Sequence, residues 1–277
     1  MRRRLDAELV RRGLVPSRAR ARELVEAGRV RVGGAPAVKV TRLVDAGEAL
    51  VVEGDPPRFV GRGGEKLAAA LGGFGLDPTG ARVLDAGAST GGFTDCLLQA
   101  GAAEVVALDV GHGQLHERLR ADARVEVRER TNLRHVDPAE LGSFDAAVAD
   151  LSFISLGTVM DVLVACVEAR GWLVLLVKPQ FEAGRAEVDR GRGVIRDPAV
   201  RAGALRAVGG AALAAGASIM GVMTSPLRGA DGNVEFLLLL RRGDAPGRLD
   251  ADGWEAAVHA VTAGTEAAGG DGPGTAR

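Results

Sequence analysis

Three lysines stand apart among the basic residues, because the chain uses arginine almost everywhere else that it needs a cation. Of the 35 basic residues 32 are arginine, and the lysines are Lys39, Lys66 and Lys178. Arginine stays protonated in proteins, whereas lysine can lose its proton and then act as a base. Lys66 and Lys178 are therefore candidates for acid–base chemistry. Lys39 lies in a basic stretch where arginine would serve as well.

Two carboxylates accompany these lysines. Asp150 lies near the end of the apolar stretch VADLSF, and Lys178 lies near the end of the next one, LVKPQFE. The carboxyl ends of parallel strands share one edge of a sheet, so this pair is expected to meet there. Glu235 lies inside NVEFLLLL, where a charged side chain needs a partner or a purpose. Lys66 begins the helix that precedes the first strand.

The elements that must position these residues alternate along the chain. Strands are predicted at 82–87, 104–110, 125–130, 144–152, 171–181, 217–223 and 233–242, and helices near 91–101, 113–121, 156–168 and 198–215. Nearly continuous apolar strands between helices indicate a buried, mostly parallel sheet covered on both faces. The predicted fold class is α/β, with a doubly wound, seven-stranded, Rossmann-like sheet that ends in an antiparallel edge hairpin.

The first strand leads into the loop DAGASTGGF, residues 85–93, at the sheet edge where open α/β folds bind ligands. The second strand ends at Asp109, where a carboxylate can accept hydrogen bonds from both ribose hydroxyls of an adenosine. Asn132, just past the third strand, is either an adenine contact or a turn residue. The predicted cofactor-binding residues are Asp85, Gly87, Ser89, Thr90, Gly91, Gly92, Asp109 and Asn132.

The loop chemistry selects among nucleotides. A dinucleotide site wants a second glycine at position 89, where this chain has Ser89. Asp85 would repel a phosphate but suits a ligand that carries an amino group. S-adenosylmethionine has an adenosine, a sulfonium and an amino-acid tail, and it has no phosphate. It is the predicted cofactor; a dinucleotide and a purely structural glycine turn are the alternatives.

Charge is divided unevenly along the chain. Residues 1–42 hold twelve basic and four acidic residues, whereas residues 43–277 hold 23 basic and 32 acidic ones. Two short helices, the second capped by Ser17, are predicted in this basic part. A hairpin turning at Gly33-Gly34 is predicted to continue through Val38 and Val40. Because few acids interrupt it, we predict a phosphate-binding patch, with a solvated charged face as the alternative. Its members are Arg4, Arg18, Arg20, Arg22, Arg29 and Arg31.

Other function classes lack their sequence features. Cys96 and Cys166 fit neither a zinc site nor a disulfide framework, and His112 and His116 lack further ligands, so no metal is expected. We find no signal peptide, and the longest apolar runs have the length of a strand rather than a membrane span. A cytoplasmic protein without membrane contact is the expectation.

Two resemblances follow from these motifs. The stretch SRARARELVEAGRVRVGG resembles the S4-type RNA-binding domain over about residues 1–60. Lys66, Asp150, Lys178 and Glu235 match, in identity, order and element, the Lys-Asp-Lys-Glu tetrad of FtsJ-like RNA ribose methyltransferases. With GRGGEKL, DAGASTGGFTD, LDVGHGQL, LSFISL and VKPQFE, the chain resembles the TlyA-type family of bacterial ribosomal RNA 2′-O-methyltransferases, also known as hemolysins, over about residues 1–245.

The resemblance implies domains and a reaction. It implies an S4-type α+β domain at 1–60 and a methyltransferase domain at 67–245, with a linker at 61–66 between them. The remaining residues, 246–277, are mostly alanine, glycine, aspartate and threonine past about residue 249, so we predict a tail whose end is disordered. The implied reaction is methylation of a cytidine 2′-hydroxyl in ribosomal RNA, with the ribosomal subunits as partners. Our hypothesis makes Lys178 the base and Asp150 its orienting partner, although coupled lysines leave Lys66 as the alternative base.

Three other functions compete with this interpretation. A non-catalytic RNA chaperone or ribosome assembly factor would use the same basic domain without the tetrad. A membrane-active hemolysin would need an apolar or strongly amphipathic segment. A pseudouridine synthase would share the N-terminal module but would not need the cofactor loop.

Overall fold

The computed structural model describes residues 2–15, 17–54, 57–229 and 231–263. Its contacts divide the chain into two compact units, Met1–Val60 and Gly61–Arg277. We refer to them as the N-terminal unit and the catalytic unit, and each is described by itself.

The N-terminal unit packs two helices over small antiparallel sheets. β1 pairs with β4, and β2 lies between β3 and β5. Ser17 accepts a hydrogen bond from the main-chain N–H of Arg20 and so caps the second helix. Leu5, Leu9 and Val25 belong to its buried core. Its elements are β1 (Arg3–Arg4), α1 (Leu5–Arg11), α2 (Arg18–Glu26), β2 (Val30–Val32), β3 (Ala35–Pro36), β4 (Leu43–Val44) and β5 (Leu50–Val52).

The hairpin in this unit is shorter than the sequence predicts. Gly33 and Gly34 both have positive φ, +59° and +85°, as a two-residue hairpin turn requires. The return strand then covers only Ala35–Pro36 instead of continuing through 38–40. The main-chain N–H of Ala37 makes the last bond to β2, after which the chain turns away and leaves Val38 86% exposed.

The catalytic unit is built around a seven-stranded sheet. Its elements are α3 (Gly63–Phe74), β6 (Arg82–Ala86), α4 (Gly92–Gln99), β7 (Glu104–Leu108), α5 (Glu117–Arg120), β8 (Val125–Arg128), α6 (Pro138–Leu141), β9 (Phe144–Ala149), α7 (Met160–Cys166), β10 (Val167–Val177), α8 (Pro179–Glu182), α9 (Arg185–Arg190), α10 (Pro198–Ala214), β11 (Ala217–Thr224), β12 (Phe236–Arg242) and α11 (Ala251–Ala263). Short 3-10 turns cover Leu133–His135 and Leu156–Thr158.

The strand order is β11-β12-β10-β9-β6-β7-β8. β6 to β10 run parallel, whereas β12 is antiparallel to both β10 and β11. The predicted doubly wound sheet with its antiparallel edge hairpin is therefore confirmed. Within that hairpin, β11 is the edge strand and β12 lies between β11 and β10. Residues 146–149 of β9 and 172–177 of β10 are all buried, so charged residues enter these central strands only near their ends.

Two segments differ from their predicted roles. Residues 63–66, predicted as part of a linker, form the first turn of α3. The predicted tail contains α11, which buries Trp254, Val258 and Thr262 at helical spacing. The surrounding sequence is rich in alanine and glycine, so the apolar face of this helix is not evident from the sequence pattern. The predicted disorder at the chain end falls on residues outside those described. No described helix is both long and apolar enough to cross a membrane.

The packing of α11 on α10 yields a prediction about two adjacent glycines. A Cβ on Gly209 would lie 2.8 Å from Cζ2 of Trp254, whereas one on Gly210 would meet nothing within 4 Å. Gly209→Ala should lower the free energy of unfolding by about 1–3 kcal/mol through overpacking. Gly210→Ala should raise it by about 0.5–1 kcal/mol, because alanine is the better helix former. Urea unfolding measures the free energy of unfolding of both variants. Equal values for Gly209→Ala and Gly210→Ala would contradict the close packing of Gly209 against Trp254.

Candidate active site

Two lysine–carboxylate pairs lie at the carboxyl edge of the parallel strands. Nζ of Lys178 lies 2.6 Å from Oδ1 of Asp150 and donates a hydrogen bond to Oγ of Ser152 at 2.8 Å. Nζ of Lys66 forms an ion pair with Glu235. The structure thus brings all four residues of the predicted tetrad into two paired contacts.

The sheet explains why these residues meet. Asp150 directly follows β9 and Lys178 directly follows β10, and these strands are parallel neighbours. Glu235 directly precedes β12, which runs in the opposite direction, so its start lies at the same edge. Val177 pairs with Phe236 in the β10–β12 ladder, which sets Lys178 and Glu235 beside the end of that ladder.

Three of the four charged groups are almost completely buried. Lys66, Lys178 and Glu235 are 7%, 8% and 2% exposed. A buried charge is costly unless it is paired and hydrogen-bonded, and removing one partner leaves the other uncompensated. Each lysine here has a carboxylate partner, so the site holds its charges without leaving an isolated ion.

Glycines bring the start of α3 against the cofactor loop. A Cβ on Gly92 would lie 3.0 Å from the main-chain nitrogen of Gly64, and one on Gly63 would lie 3.7 Å from Oδ2 of Asp150. The first turns of α3 and α4 can therefore abut only because these positions carry no side chain. This contact places Lys66, one turn into α3, at the edge of the sheet.

A cavity of about 560 Å³ opens beside the tetrad, within the size range of small-molecule sites. Asp150 forms part of its wall, so the Lys178–Asp150 pair lies at the boundary of the cavity. The lining residues are Gly87, Ser89, Leu108, Asp109, Val110, Gln114, Thr131, Asn132, Leu133, Arg134, Asp150, Leu151, Ser152, Phe153 and Ile154.

Four of the eight predicted cofactor residues line this cavity: Gly87, Ser89, Asp109 and Asn132. Gly87 has φ +86°, and a Cβ there would lie 2.7 Å from the carbonyl oxygen of Asp150. The Asp109 carboxylate accepts hydrogen bonds from the N–H groups of Ser89 and Gly111, at 2.8 and 2.6 Å. A carboxylate offers about four acceptor positions, so Asp109 retains capacity for a ligand.

The other four residues lie outside the cavity lining. Thr90 and Gly92 belong to the turn that enters α4, and Gly91 has no room for a Cβ beside Leu119. The contact predicted between Asp85 and an amino group stays a prediction: this carboxyl is fully buried, and its Oδ1 has no hydrogen-bond partner among the described residues. Its Oδ2 accepts a hydrogen bond from Thr94 at 2.6 Å, and burial, opposed by this bond, raises its pKa to about 7.

Several lining residues were absent from the predicted site. Gln114, whose Oε1 accepts a hydrogen bond from Ser89 at 3.3 Å, and Arg134 had no distinguishing sequence signal beyond their position after strands. Phe153 is 92% exposed with φ +63°, and its ring lies 5.3 Å from that of Phe181. Such backbone is uncommon for a bulky residue and often marks a functional segment.

Acidic residues interrupt the predicted arginine patch more than the sequence indicates. Arg4 and Arg18 both bind Asp6, and Arg20 pairs with Glu23. Glu53, which lies beyond the basic segment in sequence, folds back to pair with Arg31, and its carbonyl accepts from Arg29. Of the six predicted arginines, Arg22 and Arg29 have no ion pair with a described residue.

Two family models match this chain. One, described as FtsJ-like methyltransferase, matches residues 59–242, and the other, the S4 domain, matches residues 3–50. Together they cover the catalytic core and most of the N-terminal unit.

Curated relatives and solved structures agree with these matches. The 16S/23S rRNA (cytidine-2′-O)-methyltransferase TlyA of Mycobacterium tuberculosis (strain ATCC 25618 / H37Rv) is 52% identical over 92% of this chain and 96% of its own. Hemolysin A of Brachyspira hyodysenteriae is 38% identical over 84% of this chain and 98% of its own. A solved structure described as "Putative hemolysin from Streptococcus thermophilus" has a TM-score of 0.76 and 37% identity, covering 96% of this chain and 98% of that one.

The buried Asp85 carboxyl predicts a pH dependence of stability. Its pKa is about 7 in the fold, against an ordinary value of 3.8, so unfolding releases a proton between those values. The stability contribution of the protonated carboxyl is therefore complete below pH 4 and is lost as pH rises through 7. Asp85→Asn keeps the shape without ionising, so its stability relative to the unmodified chain should rise by roughly 3 kcal/mol from pH 4 to pH 8.

Chemical denaturation at pH 4, 6 and 8 measures this difference. Asp122→Asn is the control, because Arg124 holds the pKa of Asp122 at about 2 and that carboxyl is ionised throughout the range. A constant difference between Asp85→Asn and the unmodified chain would show that Asp85 ionises normally.

Proposed function

The chain belongs to the FtsJ-like methyltransferase family, and on this premise we propose that it transfers the methyl group of S-adenosylmethionine to a ribose 2′-hydroxyl of ribosomal RNA. The observation that carries the proposal is the Lys178–Asp150 pair, 2.6 Å apart, at the wall of the cavity. It provides a basic group beside the place where a small ligand fits.

The cavity suits the proposed cofactor. Gly87 lets a ligand approach the end of β6 closely, and the spare acceptor positions of Asp109 fit the two hydroxyls of a ribose. Gly87, Ser89, Asp109 and Asn132 would hold the cofactor. When bound, S-adenosylmethionine supplies a methyl group on a positively charged sulfur, which makes that carbon electrophilic.

The tetrad supplies what the acceptor lacks. A ribose hydroxyl is a poor nucleophile at neutral pH, so it must lose its proton as it attacks. A neutral lysine amine has two N–H donors and one lone pair. Oδ1 of Asp150 lies 2.6 Å from Nζ of Lys178, and Oγ of Ser152 accepts a hydrogen bond from it, so the lone pair of the neutral amine is the group that would take the hydroxyl proton. After the transfer, Asp150 stabilises the ammonium that forms.

Lys66 and Glu235 have a different proposed role. Their ion pair is buried and lies on the α3 side of the site. We assign to it the positioning of the ribose and the electrostatic field around the attacking oxygen. Lys66 stays the alternative base, because it occupies the same edge and carries the same functional group.

The substrate class follows from the relatives and the N-terminal unit. The name of the Mycobacterium tuberculosis relative gives cytidine 2′-O-methylation of ribosomal RNA as its reaction, and the S4 match indicates RNA binding. We assign this chain the same substrate class, in the small subunit, the large subunit or both, and place the reaction in the cytoplasm.

Substitution of lysine by arginine separates catalysis from simple charge. Lys178→Arg should reduce the rate of methyl transfer about 100-fold or more, because arginine keeps its positive charge but cannot accept the proton. Lys39→Arg, the matched change outside the site, should leave the rate within about twofold. Single-turnover transfer of labelled methyl groups measures both, and full activity of Lys178→Arg would exclude Lys178 as the base.

Alanine substitutions test the other members of the tetrad. Lys66→Ala, Asp150→Ala and Glu235→Ala should each depress transfer by about 10- to 1000-fold while RNA affinity stays nearly unchanged. Filter binding of RNA is measured in parallel. Loss of RNA affinity equal to the loss of rate would assign these residues to binding instead.

The substrate itself is tested with purified ribosomal subunits. Incubation with tritiated S-adenosylmethionine and separated small or large subunits should label the RNA, and mapping should place the methyl group on a cytidine 2′-oxygen. Subunits from cells that already express the enzyme should accept little label, because their sites are occupied. Absence of transfer to any ribosomal particle would overturn the proposal and favour a non-catalytic assembly factor.

A further inference from the structure

One buried carboxylate in the N-terminal unit holds two arginines. Asp6, in the first turn of α1, is only 2% exposed. Its Oδ1 accepts from Nε of Arg4 at 3.1 Å and from the N–H of Ala7 at 2.8 Å. Its Oδ2 accepts from Nη2 of Arg4 at 2.9 Å, and from Nε and Nη2 of Arg18 at 3.2 and 2.9 Å. The two guanidinium groups therefore have a fixed spacing.

The cluster is positively charged. Hydrogen bonds from Arg4, followed by those from Arg18, hold the pKa of Asp6 at about 2, although burial opposes them, so the carboxylate is ionised at neutral pH. One negative and two positive charges leave a net charge of +1. This is the complement of a single phosphodiester.

Both arginines retain donors that face away from Asp6. Each binds the carboxylate through its Nε–Nη2 edge, so both protons of Nη1 and the second proton of Nη2 are left over. The side chains of Arg4 and Arg18 are 44% and 59% exposed. A guanidinium edge of this kind matches the paired oxygens of a phosphate.

In a neighbouring cluster, one of the two arginines has acceptors for its outer nitrogens as well. Glu8 is also buried and also binds two arginines, Arg11 and Arg12. Arg12, however, uses its remaining nitrogens on the main-chain carbonyls of residues 45, 46 and 48. Arg12 therefore fastens the loop before β5, whereas the outer edges of Arg4 and Arg18 have no acceptor among the described residues.

We propose that Arg4 and Arg18, held by Asp6, form a clamp for one backbone phosphodiester of the RNA substrate. Asp6 is a positioning residue: its charge repels the phosphate, but its carboxylate fixes the two guanidinium groups that bind the phosphate. The inference rests on the proposed function, because it needs the N-terminal unit to bind RNA. Preorganisation of this kind raises affinity by reducing the entropy lost on binding.

For the RNA affinity of an Asp6 variant, the clamp predicts the opposite change to the one that net charge alone predicts. Asp6→Asn and Glu26→Gln each remove one negative charge from the N-terminal unit, and Glu26 is exposed in α2. By charge alone, both changes should tighten RNA binding. We expect Asp6→Asn to weaken the affinity about tenfold, because the guanidinium groups of Arg4 and Arg18 lose the carboxylate that holds them both. Glu26→Gln should bind at least as tightly as the unmodified chain.

The probe is the purified ribosomal subunit that accepts the methyl group, with equilibrium binding measured at two salt concentrations. Arg18→Lys is the second variant, because it keeps the charge at an exposed position and removes only the fork. We expect it to weaken binding about three- to tenfold. Thermal unfolding followed by circular dichroism checks that each variant is folded.

The outcomes separate the clamp from the proposed function. If Asp6→Asn binds like Glu26→Gln, or if folded Arg18→Lys binds like the unmodified chain, the clamp is wrong while the enzyme assignment stands. If the unmodified chain binds no ribosomal particle, the proposed function and the clamp both fail.

Discussion

Placing four charges at the end of an apolar sheet is the constraint on which the catalytic unit depends. Residues 146–149 of β9, 172–177 of β10 and 236–240 of β12 are all buried, so a charged side chain can enter only near the ends of these strands. Once there, Lys178 and Lys66 each need a carboxylate, because an uncompensated charge in such surroundings is strongly destabilising. The two ion pairs thus compensate the buried charges of the fold, and the same four residues form the tetrad that we propose for catalysis.

Strand direction provides the carboxylates in the right place. Parallel β9 and β10 deliver Asp150 and Lys178 from their carboxyl ends, and only an antiparallel β12 can deliver Glu235 from its beginning. A parallel last strand would place Glu235 at the opposite edge. The antiparallel direction of β12, between β10 and β11, is therefore needed to complete the tetrad.

Much of this arrangement could be predicted from sequence, because apolar runs and their spacing determine the strands and their ends. The tetrad was found this way, as were Gly87 and Asp109 at the cavity. The inward orientation of Asp85 depends on α4 packing over it and on Thr94, which strand patterns do not reveal. The arginine patch shows the same limit, since Glu53 lies far along the chain from Arg31 and meets it only through the pairing of β2 with β5.

The glycine contact between α3 and α4 joins the helix that carries Lys66 to the loop that lines the cavity. Gly63 and Gly64 leave no side chain between the two helix starts, so the loop around Gly92 cannot shift toward α3 without moving it. Lys66 travels with α3, and Asp109 is tied to the same loop through Ser89. Close packing thus couples the loop around Gly92 to Lys66, so a displacement of either would shift the other.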